Sequence, residues 1–209
     1  VINMTMPKIK ICGITNTDDA VKIAGLGVDY VGMIINIPFS PRSVDKISAT
    51  EIAVAAKRVN SSVRVVGVFM NENLSEIREM VGSCHLDVAQ LHGNESHTYC
   101  SALRDVAEVW KVVVIHSHRD IEMSEKYRAS TDMVVFDAGY GNGRSIDFSL
   151  LTDVKVDILA GGLGSSNIVN AIRKVRPAIV DINTAVESTP GAKDILLIKS
   201  IIKKINTII

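Results

Sequence analysis

Lys8–Ala20 reads KIKICGITNTDDA, and two features of it bear on the architecture. Ile9 and Ile11 alternate with Lys8, Lys10 and Cys12, the period of a strand. The run then meets a single glycine, Gly13, and not the G-x-G-x-x-G turn that often holds a dinucleotide after the first strand of a doubly wound sheet. Similar short β-branched runs recur at 30 (YVGMII), 63 (VRVVGVF), 88 (VAQL), 109 (VWKVVVI), 133 (MVVF), 156 (VDILA) and 178 (AIVDI). Their starts lie 22, 33, 25, 21, 24, 23 and 22 residues apart, about one strand, one helix and two loops each. The segments between them carry helix patterning. SATEIAVAAKRVN places Ser48 and Glu51 at capping-box spacing, and NLSEIREMVGS repeats that spacing with Asn73 and Glu76. Eight strand–helix units joined by right-handed crossovers predict an α/β fold of the (β/α)8-barrel type, and 209 residues favour one compact barrel domain over residues 1–209.

Composition narrows the function. The 23 basic and 23 acidic side chains cancel, so no chain-wide field points to nucleic acid or an anionic membrane, and any anion must be bound locally. Cys12, Cys84 and Cys100 are odd in number and lack C-x-x-C spacing, which argues against a disulfide framework or a cysteine zinc site and for a reducing compartment. The amino end has neither the basic start nor the apolar run of a signal peptide, and no stretch reaches about 18 apolar residues. A cytoplasmic protein is expected.

Strand parity then places the candidate chemistry. Ile9 and Ile11 belong to the helix-facing side of the first strand, leaving Lys10 and Cys12 inward, with Cys12 at the carboxyl end where barrel enzymes hold their active sites. On the sixth strand Val134 and Phe136 face the helices while Val135 and Asp137 face inward, so a second ionisable group reaches the same rim. Considered alone, a buried cysteine is as often inert packing, and a strand-end aspartate as often a turn residue. A phosphate address lies after the seventh strand, where Gly161 and Gly162 precede a helix opened by Ser165 or Ser166, and the eighth strand leads into NTAVES. His116 and His118 have no third ligand at metal spacing and read as loop histidines.

The ordered motifs KICGIT (10–15), SPRSV (40–44), VGVFMN (66–71), QLHG (90–93), GNGRSIDFSLL (141–151), AGGL (160–163) and VESTPGAKD (186–194) resemble, end to end, the phosphoribosylanthranilate isomerase family of tryptophan biosynthesis. The resemblance implies an Amadori rearrangement without a cofactor, on a small phosphorylated substrate, by a monomer or homodimer. By it Cys12 is the general base and Asp137 the general acid, and Arg42 holds the anthranilate carboxylate; strand parity turns His92 inward with Gln90, so that it lines the mouth in a structural or positioning role. Backbone around Gly162, Leu163, Thr184 and Ala185 takes the phosphate, and Asn183 is a further substrate-binding candidate.

That chemistry makes demands on proton affinity, since an ordinary aspartic acid (about 3.9) is ionised and an ordinary thiol (about 8.5) is protonated at pH 7. A neighbouring cation or phosphate-site dipoles are expected to govern Cys12. Lys10 is a candidate, although pairing with Asp181 is favoured because buried lysines are normally paired. Three stretches depart from the family pattern. GMIIN stands for an aromatic second strand, RSIDF leaves Arg144 in place of a lysine, and NTAVE puts Ala185 where a glycine is usual, which would be costly if φ there is positive. The histidine-pathway isomerases carry aspartate at the strand-1 position, so Cys12 argues against them. A non-catalytic phosphate-binding barrel is the remaining alternative, and the strand-8 departures are its support.

Overall fold

The computed structural model describes residues 5–138 and 147–208. Eight strands run in parallel: β1 (Lys8–Ile11), β2 (Tyr30–Ile35), β3 (Arg64–Phe69), β4 (Val88–Leu91), β5 (Glu108–Val114), β6 (Met133–Asp137), β7 (Ile158–Leu159) and β8 (Ile179–Ile182). Each pairs with the next, and β1 pairs with both β2 and β8, in register Lys10↔Tyr30 and Lys10↔Asp181, so the sheet closes into a barrel. Two apolar clusters separate by strand parity. Ile9, Ile11, Val134, Phe136 and Leu159 belong to the layer under the helices, whereas Cys12, Tyr30, Trp110, Val135 and Ile158 fill the barrel interior. Trp110 and Tyr30 meet there edge to face at 5.1 Å.

The helices are α1 (Thr17–Ala24), α2 (Lys46–Val59), α3 (Leu74–Ser83), α4 (His97–Ser101), α5 (His118–Tyr127), α6 (Ile168–Val175) and α7 (Ile195–Asn206). Three start signals differ from the sequence reading. Helix α2 begins a turn before Ser48, because the Asp45 carboxylate accepts the Ser48 N–H at 2.8 Å and is the cap. Asn73 is the N-cap of α3, but its side chain makes no capping bond among the described residues. Ser165 and Ser166 lie in a turn ahead of α6, whose N-cap is Asn167. The sixth crossover also departs from the strand–helix alternation, with a 3₁₀ turn at Phe148–Leu151 in place of an α-helix in its described part. Most of the strand-6 loop motif, with Arg144, lies outside the described residues.

The amino-terminal rim is built by a recurring aspartate. Asp29, Asp87, Asp132 and Asp157 each stand one residue before a strand, and each carboxylate accepts a backbone N–H from the adjacent strand: Ile9 (2.8 Å), Val65 (2.7 Å), Val109 (2.8 Å) and Val134 (3.1 Å). Lys57, Arg104 and Arg128 pair with the last three of these carboxylates. The backbone donors at the barrel floor are thereby satisfied by side chains that also pin neighbouring strands together. No helix among the described residues is long and apolar enough to cross a membrane.

Candidate active site

A cavity of about 260 Å3 opens at the carboxyl ends of the strands. Cys12 lies just past the end of β1, where its N–H donates to Ile182 O of β8 at 2.9 Å, and its side chain joins the interior cluster. Asp137 is the last residue of β6. Both line the cavity, together with Arg42, His92, Gly162, Leu163, Asn183 and Thr184. Ala185 does not line it. It is exposed in a 3₁₀ turn, Thr184–Val186, that comes after β8, and its φ is not among the positive ones, so the strain foreseen for alanine there does not arise. Room for its methyl comes from Gly164, where an added Cβ would stand 2.7 Å from the Ala185 Cβ.

Small residues let the reactive groups approach. On β2, Gly32 faces inward, and a Cβ there would lie 2.9 Å from Cys12 Sγ and 3.2 Å from Lys10 Nζ. Gly161 has φ +87°, and a Cβ on it would strike Asp137 Oδ1 at 2.6 Å and Ala138 N at 2.4 Å. The next turn is braced by Asn167, whose Oδ1 accepts the Gly164 N–H at 2.8 Å and whose Nδ2 donates to Gly162 O at 2.9 Å. Positive φ at both Gly161 and Gly162 curls this backbone at the cavity wall, a shape suited to an anion.

The electrostatics centre on a buried triad. Lys10 is fully buried and its Nζ lies 2.6 Å from Asp181 Oδ2, while Asp181 Oδ1 is buried without a hydrogen-bond partner among the described residues. Burial alone would lower the Lys10 pKa, but Asp181 and Cys12 outweigh it and hold the ammonium above its usual range. Burial pushes the Cys12 thiol up, against the downward pull of Lys10, so desolvation governs this group more than its neighbouring cation does. His92 Nε2 stands 4.0 Å from Asp137 Oδ2. Its pKa falls to about 4, first through burial and then through the charges of Lys111 and Lys10.

A second polar cluster holds Arg42. Its Nε and Nη2 form a fork on the Glu187 carboxylate (2.9 and 2.7 Å), and Lys193 Nζ meets the same carboxylate at 2.8 Å and Asn183 Oδ1 at 2.8 Å. Glu187 raises the Arg42 pKa. Burial works against the Glu187 carboxylate, but hydrogen bonds from Arg42 and Lys193 prevail and keep its pKa low. One carboxylate thus orients two cations. Glu187 and Lys193 were not singled out from the sequence, although both stand in the VESTPGAKD motif; neither periodicity nor composition signals a pairing 145 residues from Arg42. Ile34, Ile37, Phe39, Val68 and Met70 make an apolar wall, and Phe39, in the loop after β2, brings an aromatic ring to the cavity that the Met33–Ile35 end of the strand lacks. His116 and His118 sit at the start of α5, where the His116 N–H donates to Asp120.

Comparisons with known proteins identify the family. The family model for N-(5'-phosphoribosyl)anthranilate (PRA) isomerase matches residues 9–204. An N-(5'-phosphoribosyl)anthranilate isomerase from Pelobacter propionicus is 34% identical over 95% of both chains. The crystal structure of monomers of dimeric phosphoribosylanthranilate isomerase from Thermotoga maritima superposes with a TM-score of 0.84 at 34% identity, covering 96% of this chain and 99% of that one. A phosphoribosylanthranilate isomerase in complex with reduced 1-(o-carboxyphenylamino)-1-deoxyribulose 5-phosphate gives 0.85 at 33%, over 97% and 100%. With the barrel closed and Cys12 and Asp137 at one rim of it, these likenesses place the chain in the N-(5'-phosphoribosyl)anthranilate isomerase family.

Proposed function

We propose that Cys12 and Asp137 perform the Amadori rearrangement of N-(5'-phosphoribosyl)anthranilate as general base and general acid. The observation that carries the assignment is their arrival, from β1 and β6, at one cavity that also holds the glycine turn after β7. Asp137 gives its proton to the ring oxygen as the C1 nitrogen lone pair forms the iminium bond and the C1–O bond breaks. The positive nitrogen acidifies the C2–H bond, and Cys12 as thiolate removes that proton, leaving an enolamine that tautomerises to the 1-amino-1-deoxy ketose. No electron leaves the substrate, since C1 is reduced as C2 is oxidised. The raised thiol pKa means that Cys12 acts from a minor thiolate form, which Lys10 favours.

In this reading the backbone at Gly162, Leu163 and Thr184 takes the phosphate, with Asn183 and Ala185 beside it, and phosphate binding orients the sugar far from the bonds that change. Arg42, held by Glu187 along one edge, meets the anthranilate carboxylate, and Phe39 with Ile34 and Ile37 receives the ring. The enzyme acts as one domain, in the cytoplasm and without a cofactor. The free thiols of Cys12, Cys84 and Cys100 fit that reducing compartment. A homodimer is supported by the Thermotoga maritima relative, described as dimeric. The non-catalytic alternative loses its footing at Ala185, whose backbone takes no positive φ.

Anthranilate fluorescence followed with the ribosyl substrate tests the assignment. The signal should decay with wild-type protein and persist with Cys12→Ala or Asp137→Asn. Binding without turnover in the wild type would sink it.

A further inference from the structure

One buried ion pair near the cavity has no part in the steps above. Lys111, on β5, and Glu95, in the loop after β4, meet at 3.1 Å with side chains 3% and 2% exposed. Both charged groups are fully engaged. Lys111 Nζ donates to the carbonyls of Leu91 (3.3 Å), Gly93 (2.7 Å) and Val112 (3.1 Å). The Glu95 carboxylate accepts the N–H of Gly93 (2.9 Å) and of Asn71 (2.9 Å), the latter from the loop after β3. Tyr127 of α5 closes over the pair, its hydroxyl donating to Glu95 O at 3.1 Å. Removing two charges from water costs several kcal/mol per ion, so a buried pair of this kind is poorly explained by stability alone.

What the pair grips is the chain on either side of His92, at Leu91 and Gly93. We propose that Lys111 and Glu95 are positioning residues that fix the His92 imidazole beside Asp137 and set the electric field it experiences. The proposal rests on the reading of Asp137 as the acid. An imidazolium 4.0 Å from Asp137 would hold that carboxyl ionised and unable to donate, so an uncharged His92 protects the proton that opens the sugar. The charged and titratable groups facing His92 are Lys111 from β5, Lys10 from β1, Asp181 from β8, Glu95 from its own loop and Asp137 from β6. Lys111 is the cation among these that acts most strongly.

Proton NMR of ring-labelled histidine, with His92 assigned by His92→Gln, reads the effect directly. In wild-type protein His92 should stay uncharged down to about 4. The double variant Lys111→Met/Glu95→Gln leaves no unpaired charge behind and so should fold. In it the His92 titration should rise by about one pH unit, and kcat/KM should fall about twofold further than in wild type between pH 8 and pH 5. Glu95→Gln alone keeps the cation and removes its counter-charge, so His92 should titrate at or below the wild-type value. Simple loosening of the loop would instead move both variants upward together, and that result, or an unchanged titration in the double variant, would overturn the proposal. Asp137→Asn separates the two readings: turnover retained in that variant removes the acid assignment, while the dependence of His92 on Lys111 is measured without any turnover.

Discussion

The two rims of the barrel use the same side chains for opposite ends. At the amino-terminal rim Asp29, Asp87, Asp132 and Asp157 stand partly in solvent, each with a backbone N–H to accept and three of them with a lysine or arginine alongside. At the carboxyl rim Asp181 is buried with one oxygen unpartnered among the described residues, and Gln90 Oε1 is in the same position. Asp137 there faces a cavity and an imidazole. One rim is satisfied and holds strands in register, while the other keeps polar capacity unspent for a ligand. Buried polar atoms without partners are costly to leave that way, so their concentration at one end is a mark of function.

The same chemical change made at each end should separate the two roles. Asp137→Asn should lower kcat by about 10²- to 10⁴-fold with little change in melting temperature, as fluorescence turnover and calorimetry would show. A thermal loss without a catalytic one would erase the distinction. Next in size is a pH effect confined to the carboxyl rim. His92 binds its proton near 6.5 when unfolded and only near 4 when folded, so the unfolded chain takes up more protons between those values. Stability is therefore full above about pH 6.5 and declines as pH falls toward 4, by up to about 3 kcal/mol. Urea titrations should show that decline, and His92→Gln should flatten it.

Asp132→Asn, at the floor, should cost about 1–2 kcal/mol by weakening the bonds to Val109 and Arg104, while kcat/KM stays within about twofold. The smallest effect is expected from Arg42→Lys. Losing the fork on Glu187 should raise KM roughly tenfold with kcat nearly kept, whereas a large fall in kcat would mean that Arg42 reaches the reacting atoms.

Period and parity made the barrel and its inward Cys12 and Asp137 legible, because a closed parallel sheet fixes which side each residue faces. Helix starts were less legible. Asp45 and Ser48 are both good caps, and only the packed position of α2 chooses between them. The floor aspartates were visible as an acid one residue before a strand, yet that signal has meaning only once the neighbouring strand is known. Long-range polar pairs such as Arg42–Glu187 and Lys111–Glu95 leave no local trace at all. The reversal at Cys12, where burial outweighs Lys10, could not be read from residue types because desolvation depends on the surrounding shell.

The bond between Lys10 and Asp181 joins residues 171 positions apart, across the seam where β1 meets β8. Such a contact closes a loop of nearly the whole chain, and it belongs to the high-contact-order class that slows folding. On the ribosome, Cys12 emerges early but must wait for the last strand before its lysine neighbour is neutralised and its wall is complete. Completing the cylinder is thus part of building the thiol's surroundings, since β8 brings both the Ile182 carbonyl that accepts the Cys12 N–H and the carboxylate that neutralises Lys10.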